Sequence, residues 1–448
     1  MIKLFVRKYI KKGPDKLMGT VETYRQLESN LGDDWQLSPS KHSRVGMLKE
    51  ILSWIGHPER RLSVIHIVGS NGKGSTGVMI SKILMTAGYR VGHFSTPAIL
   101  TDCEVVTING QMISEKEVMY HYKRIMVEIK NHGGDEKTLT KFEMWTLIAL
   151  CHFAKQEVQF AVLEAGVGGT GDATNVIDSP LVVAITKISD DHSDFLGYNL
   201  LKIAENVAGA IKPGSLIVNY PGQDINVFKI LRDKANQVEA IWNPYDKPKI
   251  TLVRSSPEGL VLNADQLEGL KLSLTGAYQA NNLSTVLQIV TILKNKRIAL
   301  SDIAVAEALA HVKITGRMEF DSKHNILYDA AHNPHGITSL VATIRSWHLP
   351  FKPTVILGLV KGKNTAEMLD ELLPYVATII AVTPDSKNAM SADELAAKIV
   401  LTSDVDVEIA DDSTAAISLA RQVRESSKAL IVVTGSVYTL RAIEKEGI

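Results

Sequence analysis

The sequence predicts an α/β protein of more than one domain, each built on a mostly parallel sheet. Three observations point there. The chain has 448 residues, more than one ordinary hydrophobic core serves, since domains run to roughly 100–200 residues. Short β-rich apolar runs recur, each followed by a glycine-containing turn and then a helical pattern, the local signature of parallel strands joined by helices. The runs are continuously apolar, as strands covered on both faces are.

The clearest run is 62–68, followed by a glycine loop and a helix from about residue 75 to residue 87. Further buried strands are expected at 160–163, 181–186, 215–218, 354–359, 377–382 and 430–434. A helical pattern over 303–311 precedes Ile314-Thr315-Gly316-Arg317, after which a new strand-and-loop series begins, so a domain boundary is expected at about residue 315. The division is then 1–315 for an N-terminal domain and 316–448 for a smaller C-terminal α/β domain.

Hydrophobic residues make up 45% of the chain and charged residues 22%, an ordinary globular balance. Lys plus Arg and Asp plus Glu each total 49, so no net field draws the molecule onto nucleic acid or an anionic membrane. Small-molecule partners are expected, with any anion held by a local site. The two cysteines, Cys103 and Cys151, lie far apart and form no C-x-x-C pair, which argues against a disulfide framework and a zinc module. The N-terminus is basic, its apolar stretches are broken by Lys3, Arg7 and Lys8, and no signal-peptide core follows. No window holds the roughly 18 uninterrupted apolar residues of a membrane helix. A cytoplasmic protein with no membrane or nucleic-acid partner is expected.

The segment Val68-Gly69-Ser70-Asn71-Gly72-Lys73-Gly74-Ser75-Thr76 sits between a predicted strand and a predicted helix, where backbone N–H groups can cradle phosphate. Gly69, Gly72 and Gly74 permit tight turns, Lys73 supplies a charge for terminal phosphate oxygens, and Ser75 or Thr76 could reach a metal ion. It is a variant P-loop, because the common G-x-x-x-x-G-K-[ST] spacing is not met. Two further clusters follow expected strands and so share the carboxyl edge of the sheet, where ligands bind. One is Glu164 with Gly166, Gly168 and Gly169; the other runs from Thr186 through Asp190 and Asp191 to His192. A buried carboxylate at Glu164 needs a partner, and Mg²⁺ shared with phosphate oxygens would supply one. His192 reads equally as a metal ligand and as an exposed loop histidine.

Together and in order, these segments resemble the folylpolyglutamate synthase and dihydrofolate synthase family, a Mur-ligase-like group of ATP-dependent amide ligases. The resemblance runs from about Val64 to Tyr438. It rests on Ser70-Asn71-Gly72-Lys73-Gly74-Ser75, on Glu164 to Gly169 with Asp172-Ala173-Thr174-Asn175, and on Asp191-His192 with Phe195-Leu196-Gly197. Later come Gln279 with Asn282, Gly316-Arg317 with Glu319, Asp329-Ala330-Ala331-His332-Asn333-Pro334-His335, and Thr434-Gly435-Ser436. The fold implied is Mur-ligase-like: a P-loop central domain with a mostly parallel sheet, plus the smaller C-terminal domain.

The activity implied uses ATP and Mg²⁺ to turn a carboxylate, such as dihydropteroate or folate, into an acyl phosphate, which the amino group of glutamate then displaces. By this resemblance Asn71, Gly72, Lys73, Gly74, Ser75 and Thr76 hold the nucleotide, joined by Asn282 on the adenine side, Arg317 on phosphate and Asp329 on the ribose or hinge side. Ser75, Thr96, Glu164 and His192 are the implied metal contacts, and Phe142 and Glu143 match a segment near the active site. His332 and Ser436 are placed near the incoming amino acid. Lys73, Glu143, Glu164, His192 and His332 form the candidate catalytic set. A monomer is expected.

The chain departs from the family at several positions. Val207 stands where a lysine, carbamylated to hold a second metal ion, is usual, so one metal suffices, another group substitutes, or activity is weaker. Thr170 replaces a usual arginine, Ala98 follows Pro97 where a histidine is common, Val105 takes a basic position, and Tyr278 stands for a histidine. Two other readings follow from these losses: a diverged amide ligase with a non-folate acid or a different amine, and a nucleotide-binding protein without catalysis.

Overall fold

The computed structural model describes Tyr24, Leu27 and residues 44–99, 101–189, 199–245, 247–265, 267–362 and 364–444. The chain divides into two compact units, Met1–Ala98 with Cys103–Tyr245, and Ile99–Asp102 with Asp246–Ile448. No helix among the described residues is long and apolar enough to cross a membrane.

In the first unit the elements run α1 (Val45–Trp54), β1 (Ser63–Val68), α2 (Lys73–Thr86), β2 (Val91–Phe94), β3 (Val106–Ile108) and β4 (Gln111–Met112). They continue through α3 (Glu115–Asn131), α4 (Lys141–Lys155), β5 (Phe160–Glu164), β6 (Val182–Ile185), α5 (Leu200–Ala208), β7 (Leu216–Asn219), α6 (Ile225–Gln237) and β8 (Ile241–Trp242). The eight-stranded sheet has the order β4-β3-β2-β5-β1-β6-β7-β8, parallel from β2 to β8. Antiparallel β3 and β4 finish one edge. Every residue of β2, β5 and β6 is buried; β5 and β6 therefore read as apolar runs, whereas β2, interrupted by Gly92 and His93, does not. Side chains of α1, α3 and α4 pack with Val64, Ala161 and Leu163 in one cluster. A second cluster gathers α5 and α6 around Val183, Ile185 and Ile217.

The register Ile67↔Glu164 and Val68↔Ile185 brings the ends of β5, β1 and β6 level. The glycine loop, the Glu164 loop and the Thr186 loop therefore emerge side by side, as expected from their positions after strands.

The second unit opens with an antiparallel sheet of β9 (Ile250–Ser256), β10 (Gly259–Ala264) and β11 (Leu267–Leu272). Sequence reasoning missed it because most of β9 is exposed and presents no apolar run. Helices α7 (Gln279–Asn295) and α8 (Asp302–Ala310) follow. Then come β12 (Glu319–Asp321), β13 (Ile326–Tyr328), α9 (Pro334–Ser346), β14 (Thr354–Leu357), α10 (Thr365–Leu372), β15 (Thr378–Ala381) and α11 (Ala392–Thr402). The chain ends with β16 (Asp406–Ile409), α12 (Ser413–Val423), β17 (Ile431–Thr434) and α13 (Val437–Glu444). Their six-stranded sheet has the order β12-β13-β17-β14-β15-β16, parallel except for β12. It starts at Glu319, close to the boundary expected at about residue 315, whereas by compactness the chain divides after Tyr245.

Candidate active site

The phosphate loop takes its shape from its glycines. Gly69 has φ 133° and Gly72 φ 89°, backbone regions that cost an L side chain strain. A Cβ on Gly69 would also collide with the Thr186 hydroxyl. Gly72 is the N-cap of α2 and offers no side-chain acceptor, so the first amides of the helix are not capped by their own N-cap side chain. That is the arrangement an anion needs at a helix N-terminus.

The loop is fastened to the segment after β6. The amides of Ser70 and Asn71 both donate to the Lys187 carbonyl at 3.0 Å. The Ser70 hydroxyl donates to the Ser189 carbonyl at 3.1 Å, and the Asn71 amide side chain donates to the Ser189 hydroxyl at 2.7 Å. Ser189 is a positioning residue that no local pattern singles out, because its partners Ser70 and Asn71 lie more than a hundred residues earlier. Half-buried Lys73 curls back over its own loop, its ammonium donating to the carbonyls of Gly69 at 2.9 Å and Ser70 at 3.1 Å. Thr76 is fully buried, and its hydroxyl has no hydrogen-bond partner among the described residues.

Glu164 ends β5 and is 5% exposed. A Cβ placed on Gly74 would lie 3.7 Å from its Oε2, so the first turn of α2 and this carboxylate face each other. Thr96 follows β2, the neighbour of β5, on the same edge. The oxygen donors Ser75, Thr96 and Glu164 suit a hard divalent cation such as magnesium, and the missing Cβ at Gly74 keeps the space between helix and carboxylate open. His192, with Asp190, Asp191 and the segment 195–197, lies outside the described residues.

The loop after Glu164 is braced from two sides. The buried Asp172 carboxylate accepts from Val167 N at 2.9 Å and Thr174 N at 2.9 Å. Burial pushes its pKa up, while these hydrogen bonds pull it down. Asn206 on α5 accepts from Gly169 N through its side chain at 2.9 Å and from Thr170 N through its carbonyl at 3.0 Å. Val207, the position of the missing lysine, is 1% exposed and belongs to the apolar cluster of Val68, Ala165, Val183 and Ile203. It offers no ligand atom. The Thr170 hydroxyl, where arginine is usual, donates to the Asn206 carbonyl at 2.9 Å.

Glu143 has a different setting from the rest of the candidate catalytic set. Its oxygens accept from Arg44 Nε at 2.6 Å and Nη2 at 2.8 Å, and from Thr140 N at 2.8 Å. It completes the capping box that starts α4. The adjacent Phe142 packs on the loop after Glu164, since a Cβ on Gly166 would press into its ring at 2.7 Å.

In the second unit the loops after β13, β17 and β14 share the carboxyl edge of the six-stranded sheet. Buried Asp329 accepts from Met318 N at 2.8 Å and Ala331 N at 3.0 Å. Burial raises its pKa, and Arg317 opposes the rise. Arg317 is exposed and forms no ion pair with Asp329 among the described residues. The Asn282 amide donates to buried Gln279 Oε1 at 2.9 Å. His332 donates from Nδ1 to the Ala330 carbonyl at 2.9 Å, which places its proton on that nitrogen. Gly435 N reaches the Ala331 carbonyl at 3.0 Å and ties the two loops together. Ser436 is 2% exposed, and its hydroxyl accepts from Thr439 N at 3.0 Å, capping the first turn of α13.

Comparisons with known proteins agree with this layout. Residues 67–290 match the Mur ligase middle domain, and residues 316–437 the Mur ligase, glutamate ligase domain. A dihydrofolate synthase/folylpolyglutamate synthase of Bacillus subtilis is 30% identical over 414 residues, covering 90% of this chain and 94% of that protein. The folylpolyglutamate synthase of Mycobacterium tuberculosis, solved with ADP and AMPPCP, superposes with a TM-score of 0.76 at 28% identity, over 90% of this chain and 95% of that one. That of Thermotoga maritima gives a TM-score of 0.80 at 27% identity, over 94% and 96%. A glycine cradle facing a strand-end carboxylate, a second sheet carrying Asp329 and His332, and likeness over nearly the whole length lead to one assignment: the chain belongs to the dihydrofolate synthase/folylpolyglutamate synthase family of Mur ligases.

Proposed function

We propose that the chain is an ATP-dependent ligase that joins the amino group of glutamate to the carboxylate of a dihydropteroate or folate substrate. The observation that carries the reading is the facing of Gly74 and buried Glu164 across the first turn of α2, with Lys73 over the glycine loop. Relatives of this name match at nearly full length on both sides of the comparison.

The reaction has two displacements. A carboxylate oxygen of the acid attacks the γ-phosphorus of ATP, the bond to ADP breaks, and an acyl phosphate forms. The amine of glutamate then attacks the acyl carbon, phosphate leaves, and the amine loses a proton. Ser75, Thr96 and Glu164 would hold magnesium, whose charge would offset that of the phosphates. Lys73 exchanges its two loop carbonyls for oxygens of the terminal phosphate, and the α2 amides bind the same anion. Asn71, Gly72 and Thr76 complete the cradle, and Asn282, Arg317 and Asp329 keep the nucleotide roles that the family resemblance implies. His332, its tautomer set by the Ala330 carbonyl, and the loop carrying Ser436 receive glutamate. His192 joins the metal contacts in this reading.

The functional domains proposed are 1–315 and 316–448, in keeping with the two domain matches. A cytoplasmic monomer completes the proposal. The test is incubation with ATP, Mg²⁺, glutamate and a panel of dihydropteroate and folate acceptors. Phosphate release that requires both glutamate and one of these acids is expected. Release only with an unrelated carboxylic acid, or nucleotide binding with no release from any acid, would overturn the reading.

A further inference from the structure

Helices α3 and α4 bring together a second set of ligating groups away from the glycine loop. Glu117 and His121 are four residues apart on α3 and so share a face, while His152 comes from the last turns of α4. His121 Nε2 lies 3.3 Å from His152 Nδ1. Glu117 Oε2 lies 3.6 Å from the first nitrogen and 3.8 Å from the second. All three donor atoms fall within 4.8 Å of one another.

These spacings match a particular coordination shape. A tetrahedral zinc ion with bonds of about 2.0–2.1 Å holds its donors about 3.3–3.4 Å apart. The two imidazole nitrogens already have that separation, and the carboxylate is within about half an ångström of it. Two histidines and one glutamate on facing helices are a donor set that suits zinc and its neighbours in the transition series, not magnesium or calcium. His121 and His152 are both buried, whereas Glu117 is half-buried and opens the cluster to solvent.

We propose that Glu117, His121 and His152 form a divalent transition-metal site, with zinc the preferred ion, which clamps α3 to α4 and leaves the fourth position to water. Burial, with His152, Lys155 and Arg124 nearby, lowers the His121 pKa to about 3, and burial also lowers that of His152. Burial thus favours the neutral imidazole, the form that ligates, at both rings. Lys155 is the built-in competitor. Its ammonium donates to Glu117 Oε2 at 2.9 Å and stands 4.0 Å over the Tyr120 ring. The ion displaces Lys155 from the carboxylate, and the half-exposed side chain stays on the ring or turns to water. Arg124 and Arg90 add positive potential, which weakens binding without blocking it.

The experiment uses the full chain stripped with a chelator and then titrated with Zn²⁺ or, as a spectroscopic probe, Co²⁺. One equivalent should bind, Co²⁺ should show intense tetrahedral absorption bands, and Mg²⁺ should not displace either ion. Glu117→Gln and His152→Gln should each weaken binding by at least about tenfold, since losing even a supporting contact of a metal ligand costs roughly 10–100-fold. Lys155→Ala should tighten it, and Lys73→Ala should leave it unchanged. Circular dichroism checks that each variant folds, and Lys155→Ala keeps all three ligands in place. No saturable Co²⁺ spectrum, an affinity in both ligand variants unchanged from that of the parent chain, or no response to Lys155→Ala would overturn the proposal.

Discussion

Lys73 and Val207 carry the most direct expectations at the residue level. Lys73 is one flexible cation over a glycine loop, and its two hydrogen bonds to loop carbonyls are easily exchanged for phosphate oxygens. Removing one electrostatic contact of this kind typically costs about 10²–10³-fold in turnover. Lys73→Ala is expected to lose at least that much phosphate release, measured under saturating ATP, while the melting temperature stays within a few degrees. Val207 was legible as a departure, but not its surroundings. Because it is 1% exposed in an apolar cluster, Val207→Lys forces an unpaired ammonium into that cluster. An uncompensated buried charge costs roughly 3–5 kcal/mol, so a clear fall in the urea midpoint is expected. An unchanged midpoint with higher turnover at low Mg²⁺ would show instead that the position faces the metal.

Elements carry the positioning. Helix α4 brings Phe142 against the Gly166 backbone, and its first turn is held by Arg44, Thr140 and Glu143. The sequence shows Thr140 three residues before Glu143, but Arg44 lies 99 residues away from Glu143, and no local pattern announces that partner. Glu143→Gln is therefore expected to destabilise the fold by roughly 2–4 kcal/mol, since it leaves a partly buried guanidinium short of its counter-charge. Denaturant melts check this, with turnover measured well below the melting temperature. A large loss of turnover with an unchanged melt would give Glu143 a chemical role instead. Helix α5 does for the Glu164 loop what α4 does for Phe142, through Asn206. Neither tie was legible, because each joins residues far apart in the chain, Phe142 to the Gly166 backbone and Asn206 to the Gly169 amide.

At the scale of the whole molecule, pH acts unevenly on the two units. His66, His93 and His121 are buried in the first unit, with pKa values lowered by burial to about 3, about 4 and about 3. The folded state therefore holds fewer protons than the unfolded chain between the unfolded value near 6.5 and these depressed values. Stability from these groups is complete above about pH 6.5 and is lost as pH falls, by up to about 1.4 kcal/mol per pH unit for each histidine. Asp172, its pKa raised by burial, works in the opposite direction, gaining a proton in the folded state first. The net expectation is acid unfolding that starts between about pH 6 and pH 4 in the first unit. His93→Leu should flatten that slope by about one proton, because the His93 Nε2 has no hydrogen-bond partner to lose among the described residues. Tryptophan fluorescence across an acid titration reads both slopes, and identical slopes would contradict the assignment of His93.

Features that local chemistry dictates are legible in the residues alone. Buried parallel strands must be continuously apolar, and a phosphate loop must be glycine-rich between strand and helix, so β1, β5, β6, β7, β14, β15 and β17 and the Lys73 loop could all be read from order alone. Only the tertiary structure decided which loops meet. Strand order, not chain order, sets Glu164 and the Thr186 loop on either side of the glycine loop. Helix packing likewise joins Glu117 and His121 to His152, 31 residues beyond His121. The physical reason is that side-chain patterns report the face a residue buries, whereas the partner it meets depends on free energy summed over the whole core.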